Sequence, residues 1–246
     1  RHGQQIAAVI IEPVPANNGL LLQDVKFLKA LREVTALHGS LLIFDEVISG
    51  FRLCFCGAAG WYNIQPDLIT YGKIIGGGMP VGAYGGRAEI MNKIAPEGPV
   101  YQAGTLSGNP VAMAAGYAQL QICLENGFYQ ALNEKTLYFT SLINDYATQH
   151  DLPLRMVAMG SIFWFNFDGK KTIRSAGAIA PSSVNWFKEI YHQLLERGIY
   201  LGPSGYEVGF VSAAHSTEQL THAATIINQV VRSTMEAKGM RAAVTE

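Results

Sequence analysis

The sequence predicts an α/β fold in which a mostly parallel sheet with helices is followed by a small α+β domain. Three observations predict it. The first 47 residues read strand, helix, strand, the βαβ unit of a parallel sheet with a right-handed crossover. The strand LLIFDEV (41–47) is apolar on both faces, as covered parallel strands are. Beyond Pro153 the pattern changes to an alternating run, a helix and short strands.

In chain order, residues 6–14 read as a buried strand stopped by Pro13 and Pro15. The passage 15–19 is turn chemistry. From Gln23 to His38, Val25, Leu28, Leu31, Val34 and Leu37 recur at three-residue spacing, which reads as an amphipathic helix that Gly39 ends. Residues 67–73 and 80–86 read as short strands bounded by Gly and Pro. Asn109 caps and Pro110 opens a helix running to about Asn126, and a second helix spans about Tyr129 to His150. Residues 156–167 alternate as a strand, Val184 to Arg197 reads as a helix, and 199–203 and 209–214 read as short strands. Thr217 is expected to cap a last helix reaching about Met235, with a frayed tail after Ala237. These readings divide the chain into the later part of a large domain (1–126), a connecting helix (127–152) and a small C-terminal domain (153–246).

Composition narrows the function. Hydrophobic residues make up 49% and charged residues 15% of 246, so the fold buries a large core. A net charge of −1 gives no electrostatic reason to expect nucleic acid or an anionic membrane as partner. No apolar run reaches the roughly 18 residues that span a bilayer, and no basic-then-apolar leader is present, so export is not expected. Cys54, Cys56 and Cys123 make no disulfide framework and no zinc spacing, which reads as a reduced setting without a metal. The chain opens at Arg1 and enters a core-like strand within six residues, so it is expected to be the later part of a longer protein.

Asp45 ends one apolar run, and Lys73 stands between another and a glycine cluster. Taken singly, the acid reads as a cap or ion-pair partner and the lysine as a solvated turn residue. Taken together, they stand at the carboxyl ends of two strands, where ligands of open α/β sheets sit. A lysine there can form a Schiff base with an aldehyde cofactor. Pyridoxal phosphate, the cofactor of that chemistry, needs a carboxylate against its ring nitrogen. The run LLIFDE also fits the magnesium-binding strand of P-loop ATPases, but no G-x-x-x-x-G-K-[ST] string accompanies it. In YQAGTLSGNPVAMAAG (101–116), Thr105 and Ser107 lie in a glycine-rich loop before a helix N-terminus. The loop reads equally as a phosphate site and as an elaborate cap around Asn109.

LLIFDEVISGFR, PDLITYGKIIGGGMPVGAYGGRAEIM, APEGPVYQAGTLSGNPVAMAAG and YLGPSGYEVGFVSAAHS resemble the class III, fold type I aminotransferases, and within them the glutamate-1-semialdehyde 2,1-aminomutases, from about Ile6 to the last helix. The resemblance implies pyridoxal 5'-phosphate as cofactor, with its pyridoxamine form in the cycle. It implies that Lys73 forms the Schiff base and moves protons, that Asp45 pairs with the ring nitrogen and that Val47 packs on the ring face. It places Asn17 close to the cofactor and Glu207 near the substrate. It implies a homodimer in which Thr105 reaches the phosphate of the neighbouring subunit's cofactor.

The implied reaction is intramolecular amino transfer from glutamate 1-semialdehyde to 5-aminolevulinate, for tetrapyrrole synthesis in the bacterial cytoplasm or the plastid stroma. The alternative is a class III transaminase with an external acceptor, and a more remote one is an ATPase fragment. Many class III transaminases carry a carboxylate-binding arginine in the stretch matching IYLGPS, and this chain has none between Arg197 and Arg232, which favours the mutase. Family members carry the phosphate loop, the stacking aromatic, the substrate-carboxylate arginine and the gating loop upstream of this region. The 246 residues alone are therefore expected to bind the cofactor weakly and turn over little.

Overall fold

A computed structural model describes residues 2–169 and 172–238. Their packing forms two compact units: residues up to Val14 with Gln23–Tyr129, and Pro15–Leu22 with the residues from Gln130 onward.

In the first unit, β1 (Ala8–Ile11) leads to α1 (Val25–His38) and β2 (Leu41–Glu46). Asp24 caps α1, its carboxylate accepting from the Lys26 amide at 2.9 Å, and Gly39 ends it at φ 70°. Of the expected apolar stripe, Leu28 is buried, whereas Val34 is 52% and Leu37 80% exposed. Residues three apart drift by about 60° per step around a 3.6-residue helix, so a strict three-residue spacing winds off the buried face. After α2 (Gly57–Tyr62) come β3 (Leu68–Tyr71), a 3-10 turn at Lys73–Gly76 and β4 (Ala83–Gly86). The sheet order is β1-β2-β3-β4, parallel except for the antiparallel β3–β4 pair. Then follow α3 (Ala88–Met91) and α4 (Pro110–Cys123).

Only one face of β2 is fully covered, a departure from the expectation of two apolar faces. Leu42, Phe44 and Glu46 are buried while Leu41, Ile43 and Asp45 are half-buried, the two-residue alternation of a strand. Leu42 and Phe44 pack with Leu28 and Ile64, and burying each such side chain stabilises by roughly 1.5–3 kcal/mol before entropy is counted. Asp67, 5% exposed, ties this unit together. It accepts hydrogen bonds from the Leu42 amide (2.7 Å), Arg32 Nη1 (2.8 Å) and Arg87 Nη1 (2.9 Å). Burial alone would raise its pKa, but the amide and the two guanidiniums outweigh that and hold it below the usual carboxylate range.

The second unit takes α5 (Phe128–Gln149) from Gln130 on, with β5 (Arg155–Met159), β6 (Ile162–Asn166), α6 (Pro181–Glu196), β7 (Gly209–Phe210) and α7 (Thr217–Ala237). Its sheet is antiparallel in the order β5-β6-β7. The single strand expected over 156–167 is a hairpin, because Gly160 turns the chain at φ 57°. Every residue of β6 is buried. The strand expected at 199–203 does not form: Pro203 has no N–H to give a ladder, and a turn follows in which the Glu207 amide donates to the Ser204 carbonyl. The strand expected at 209–214 shortens to Gly209–Phe210.

The last helix is capped by Ser216, one residue before the expected Thr217. Ser216 forms a reciprocal capping box with Gln219. Among the described residues no helix is long and apolar enough to cross a membrane. The tail expected to fray lies outside the described residues from residue 239 on.

Candidate active site at the carboxyl ends of two strands

Asp45 and Lys73 reach the same edge of the sheet because β2 and β3 are parallel and in register, Asp45 opposite Thr70 and Glu46 opposite Tyr71. The Asp45 carboxylate is held in place. Its Oδ1 accepts from the Val47 amide at 3.1 Å and from Thr70 Oγ1 at 3.3 Å. Thr70 escaped the sequence reading, since only strand register shows that it stands across from the acid.

Lys73 is exposed and has φ 48°, a left-handed conformation that costs a residue with a Cβ roughly 1–3 kcal/mol. The surrounding glycines and α4 hold it there. The Gly77 amide donates to the Ile74 carbonyl at 3.0 Å, closing the turn. Gly116 of α4 presents its bare Cα to the Ile75 carbonyl, and Gly77 does the same to the Ala115 carbonyl. Phe51, Asn63 and Asp151 share the left-handed region, so the strain shows that the turn around Lys73 is over-determined by its surroundings. Val47 packs beside the turn, 3.2 Å from where a Cβ on Gly72 would lie. An amine on a fixed turn and an oriented carboxylate at the next strand end suit a cofactor with an aldehyde and a basic ring nitrogen, so these residues fit the pyridoxal group that the resemblance implies.

Beneath them lies a buried acid. Glu46 is 0% exposed and accepts from the Ala58 amide (2.5 Å), the Ala59 amide (2.8 Å) and Ser49 Oγ (3.1 Å). Burial pushes its pKa up against the pull of those donors. The sequence paired Glu46 with Asp45 only as a motif. Strand alternation sends the two side chains to opposite faces, and Glu46 anchors the start of α2.

Thr105 is exposed in the turn preceding α4. Asn109 Oδ1 accepts from the Val111 amide (3.1 Å) and the Ala112 amide (3.2 Å), so the cap reading of this loop is realised around Asn109. Arg87 pairs with Asp67 and Glu89. Arg52 is half-buried near Cys123 and Tyr129, and desolvation lowers its pKa to about 10.

Asn17 and Glu207 belong to the second unit, where both line one open cavity of about 550 Å³ together with Ser204 and Tyr206. The sequence-derived residues thus fall in two sets: Asp45, Val47, Lys73 and Thr105 in the first unit, Asn17 and Glu207 in the second.

Comparison with known proteins places this geometry in a family. The aminotransferase class-III family matches residues 1–231. A glutamate-1-semialdehyde 2,1-aminomutase of Desulforudis audaxviator (strain MP104C) is 49% identical over 220 residues, covering 89% of this chain and 51% of that protein. The chain spans about half the length of such relatives. Among solved structures, an omega-transaminase from Sphaerobacter thermophilus superposes with a TM-score of 0.87 at 29% identity, covering 95% of this chain and 53% of that one. A glutamate-1-semialdehyde-aminomutase from Pseudomonas aeruginosa PAO1 shares the fold at a TM-score of 0.79 and 23% identity, covering 96% of this chain and 52% of that one. With a family match over nearly its whole length, and with Asp45 and Lys73 at or just beyond the ends of two paired parallel strands, the chain belongs to the class-III aminotransferases.

Proposed function

We propose that this chain is the later part of a glutamate-1-semialdehyde 2,1-aminomutase, which moves an amino group within one molecule to give 5-aminolevulinate. The observation that carries the reading is the 49% identity to aminomutases across most of the chain. When bound, pyridoxal 5'-phosphate, in its aldehyde and amine forms, supplies a carbonyl that condenses with amines and a ring that takes up the electron pair left by a departing proton. The residues do the rest. Lys73 Nζ holds the cofactor and, once free, takes and returns the proton at the substrate carbons. Asp45 keeps the ring nitrogen protonated by direct charge interaction, with Thr70 and the Val47 amide fixing its carboxylate. Val47 offers an apolar surface to the ring. Asn17 is assigned to the cofactor's neighbourhood and Glu207 to the substrate.

The same reading makes the enzyme a homodimer in which Thr105 serves the neighbouring subunit's phosphate, working on a small amino-aldehyde in the bacterial cytoplasm or the plastid stroma. Tetrapyrrole synthesis is its setting. The absence of an arginine between Arg197 and Arg232 supports a mutase over a transaminase, which needs a clamp for its acceptor acid. A transaminase remains the second reading, favoured by the higher TM-score of the omega-transaminase, 0.87 against 0.79.

The full-length protein separates the two. Borohydride reduction should fix the cofactor to the peptide carrying Lys73, and no label there sinks both readings. Glutamate 1-semialdehyde should then give 5-aminolevulinate with no other amino acceptor present, whereas a strict requirement for an oxo-acid makes the enzyme a transaminase.

A further inference from the structure

Trp164 lies in the middle of β6, 1% exposed, and touches two of the three segments that line the cavity holding Asn17 and Glu207, the third being Ala176–Gly177. Its indole Nε1 donates to the Gly205 carbonyl at 2.8 Å. A buried indole N–H needs such a partner, so this bond fixes the ring's orientation as well as the loop's. On the other side, the ring lies flush against Gly19. A Cβ there would fall 2.8 Å from Cζ2 and 2.9 Å from Cε2, and Gly19 has φ +83°, so both space and backbone require glycine. The two segments are also joined directly, the Gly19 amide donating to the Tyr206 carbonyl at 2.6 Å. Trp164, Gly19 and Gly205–Tyr206 therefore form a closed triangle inside the second unit.

We infer that Trp164 is a positioning residue, setting the separation of Asn17 and Glu207 and with it the recognition of a small polar amino substrate. The inference rests on the assignment of those two residues to the active site proposed above. Asn17 precedes Gly19 by two positions, and Glu207 follows Gly205 by two. Trp164 itself does not line the cavity, so it acts only through the backbones it braces. The cavity offers a carboxamide from Asn17, a hydroxyl from Ser204 and a carboxylate from Glu207, groups that orient an amino compound by direction and distance. Misplacement of such groups by about 1 Å is enough to lose much of their effect. Core filling alone would need a partner for the indole N–H, but it would not need that partner on the loop leading to Glu207, nor a left-handed glycine of the Asn17 segment pressed against the ring.

The test uses the full-length enzyme with two substitutions that disturb the triangle from opposite sides. Trp164→Phe keeps an aromatic ring but removes the N–H donor, and Gly19→Ala pushes a methyl into the ring. In both, KM for the amino substrate should rise about tenfold while kcat stays within about threefold. Hydrogen exchange in segments 15–22 and 204–208 should quicken about tenfold in Trp164→Phe. An unchanged KM in both variants overturns the inference, whatever happens to melting temperature, and so does unchanged exchange in those segments. If the unsubstituted enzyme processes no amino substrate at all, the proposed activity fails by that result alone, and the exchange measurement still decides the brace.

Discussion

Val47 rests on the backbone of Gly72: a Cβ added to Gly72 would stand 3.2 Å from Val47 Cγ1 and 3.7 Å from the Val81 carbonyl. The residue after the Asp45-Glu46 pair is thereby packed against the residue before Lys73, which couples the ends of two strands. The backbone of Gly72, at φ −159°, is open to any residue, so space is what selects glycine here. Gly72→Ala should displace Val47 by a few tenths of an ångström, cost about 1–3 kcal/mol in urea denaturation and weaken cofactor binding in titration. Unaltered stability and affinity would show that the contact is slack.

Glu46 holds the start of α2 through two amides and Ser49. Glu46→Gln keeps the shape but offers an NH2 where the fold needs an acceptor, leaving a buried N–H without a partner. A loss of about 1–3 kcal/mol is expected by thermal or urea unfolding. Because burial holds the acid's folded pKa above its unfolded value, Glu46 favours the fold at low pH and its contribution falls as pH rises through the raised value. The variant should remove that part of the pH dependence, and a stability curve parallel to the parent's across this range would count against the assignment.

Asp67 acts in the opposite sense. Its folded pKa lies below the unfolded value of about 3.9, so the folded protein binds fewer protons there. Its contribution is complete above the unfolded value and is lost as pH falls through the folded one. Asp67→Asn should flatten the acid limb of stability between roughly pH 5 and the acid midpoint, while weakening the fold at neutral pH through the loss of the charge on Arg32 and Arg87. An acid limb that persists in the variant would assign it to other carboxylates.

Gly116 sits in the interior of α4 with its Cα against the Ile75 carbonyl. Helix propensity alone favours Gly116→Ala by roughly 1 kcal/mol. The added methyl would meet a backbone atom that cannot swing aside, and overpacking costs about 1–3 kcal/mol, so a net loss is expected. The displaced turn is the one that holds Lys73 in its left-handed conformation, so borohydride labelling of Lys73 should fall with it. A stabilised variant would mean that α4 can shift freely.

Much of the first unit was legible locally. Gly39 ends α1 at φ 70°, as a glycine after the last helical turn should, and Asn109 with Pro110 opens α4 through contacts within three residues. The apolar run before Asp45 and the short run before Lys73 gave β2 and β3, and with them an acid and an amine at strand ends. Less legible were properties set by partners distant in sequence. Thr70 supports Asp45 only because of strand register, and Leu37 is exposed because α1 presents another side to the sheet. Residues 199–203 read as a strand from their side chains, but Pro203 and the turn after it leave no ladder to join.

Neighbours along the chain settle caps, turns, the parallel βαβ order and the placing of Asp45 and Lys73 at or just beyond strand ends. Tertiary structure alone decided that the segment 15–22 packs with the second unit, that Asn17 shares a cavity with Glu207, and that Trp164 braces both. The physical reason is one of range. Helix caps and turns are closed by hydrogen bonds between residues a few positions apart, while the Trp164 indole meets Gly205 and Gly19 from segments far along the chain, through fit and exclusion of water that no local pattern records.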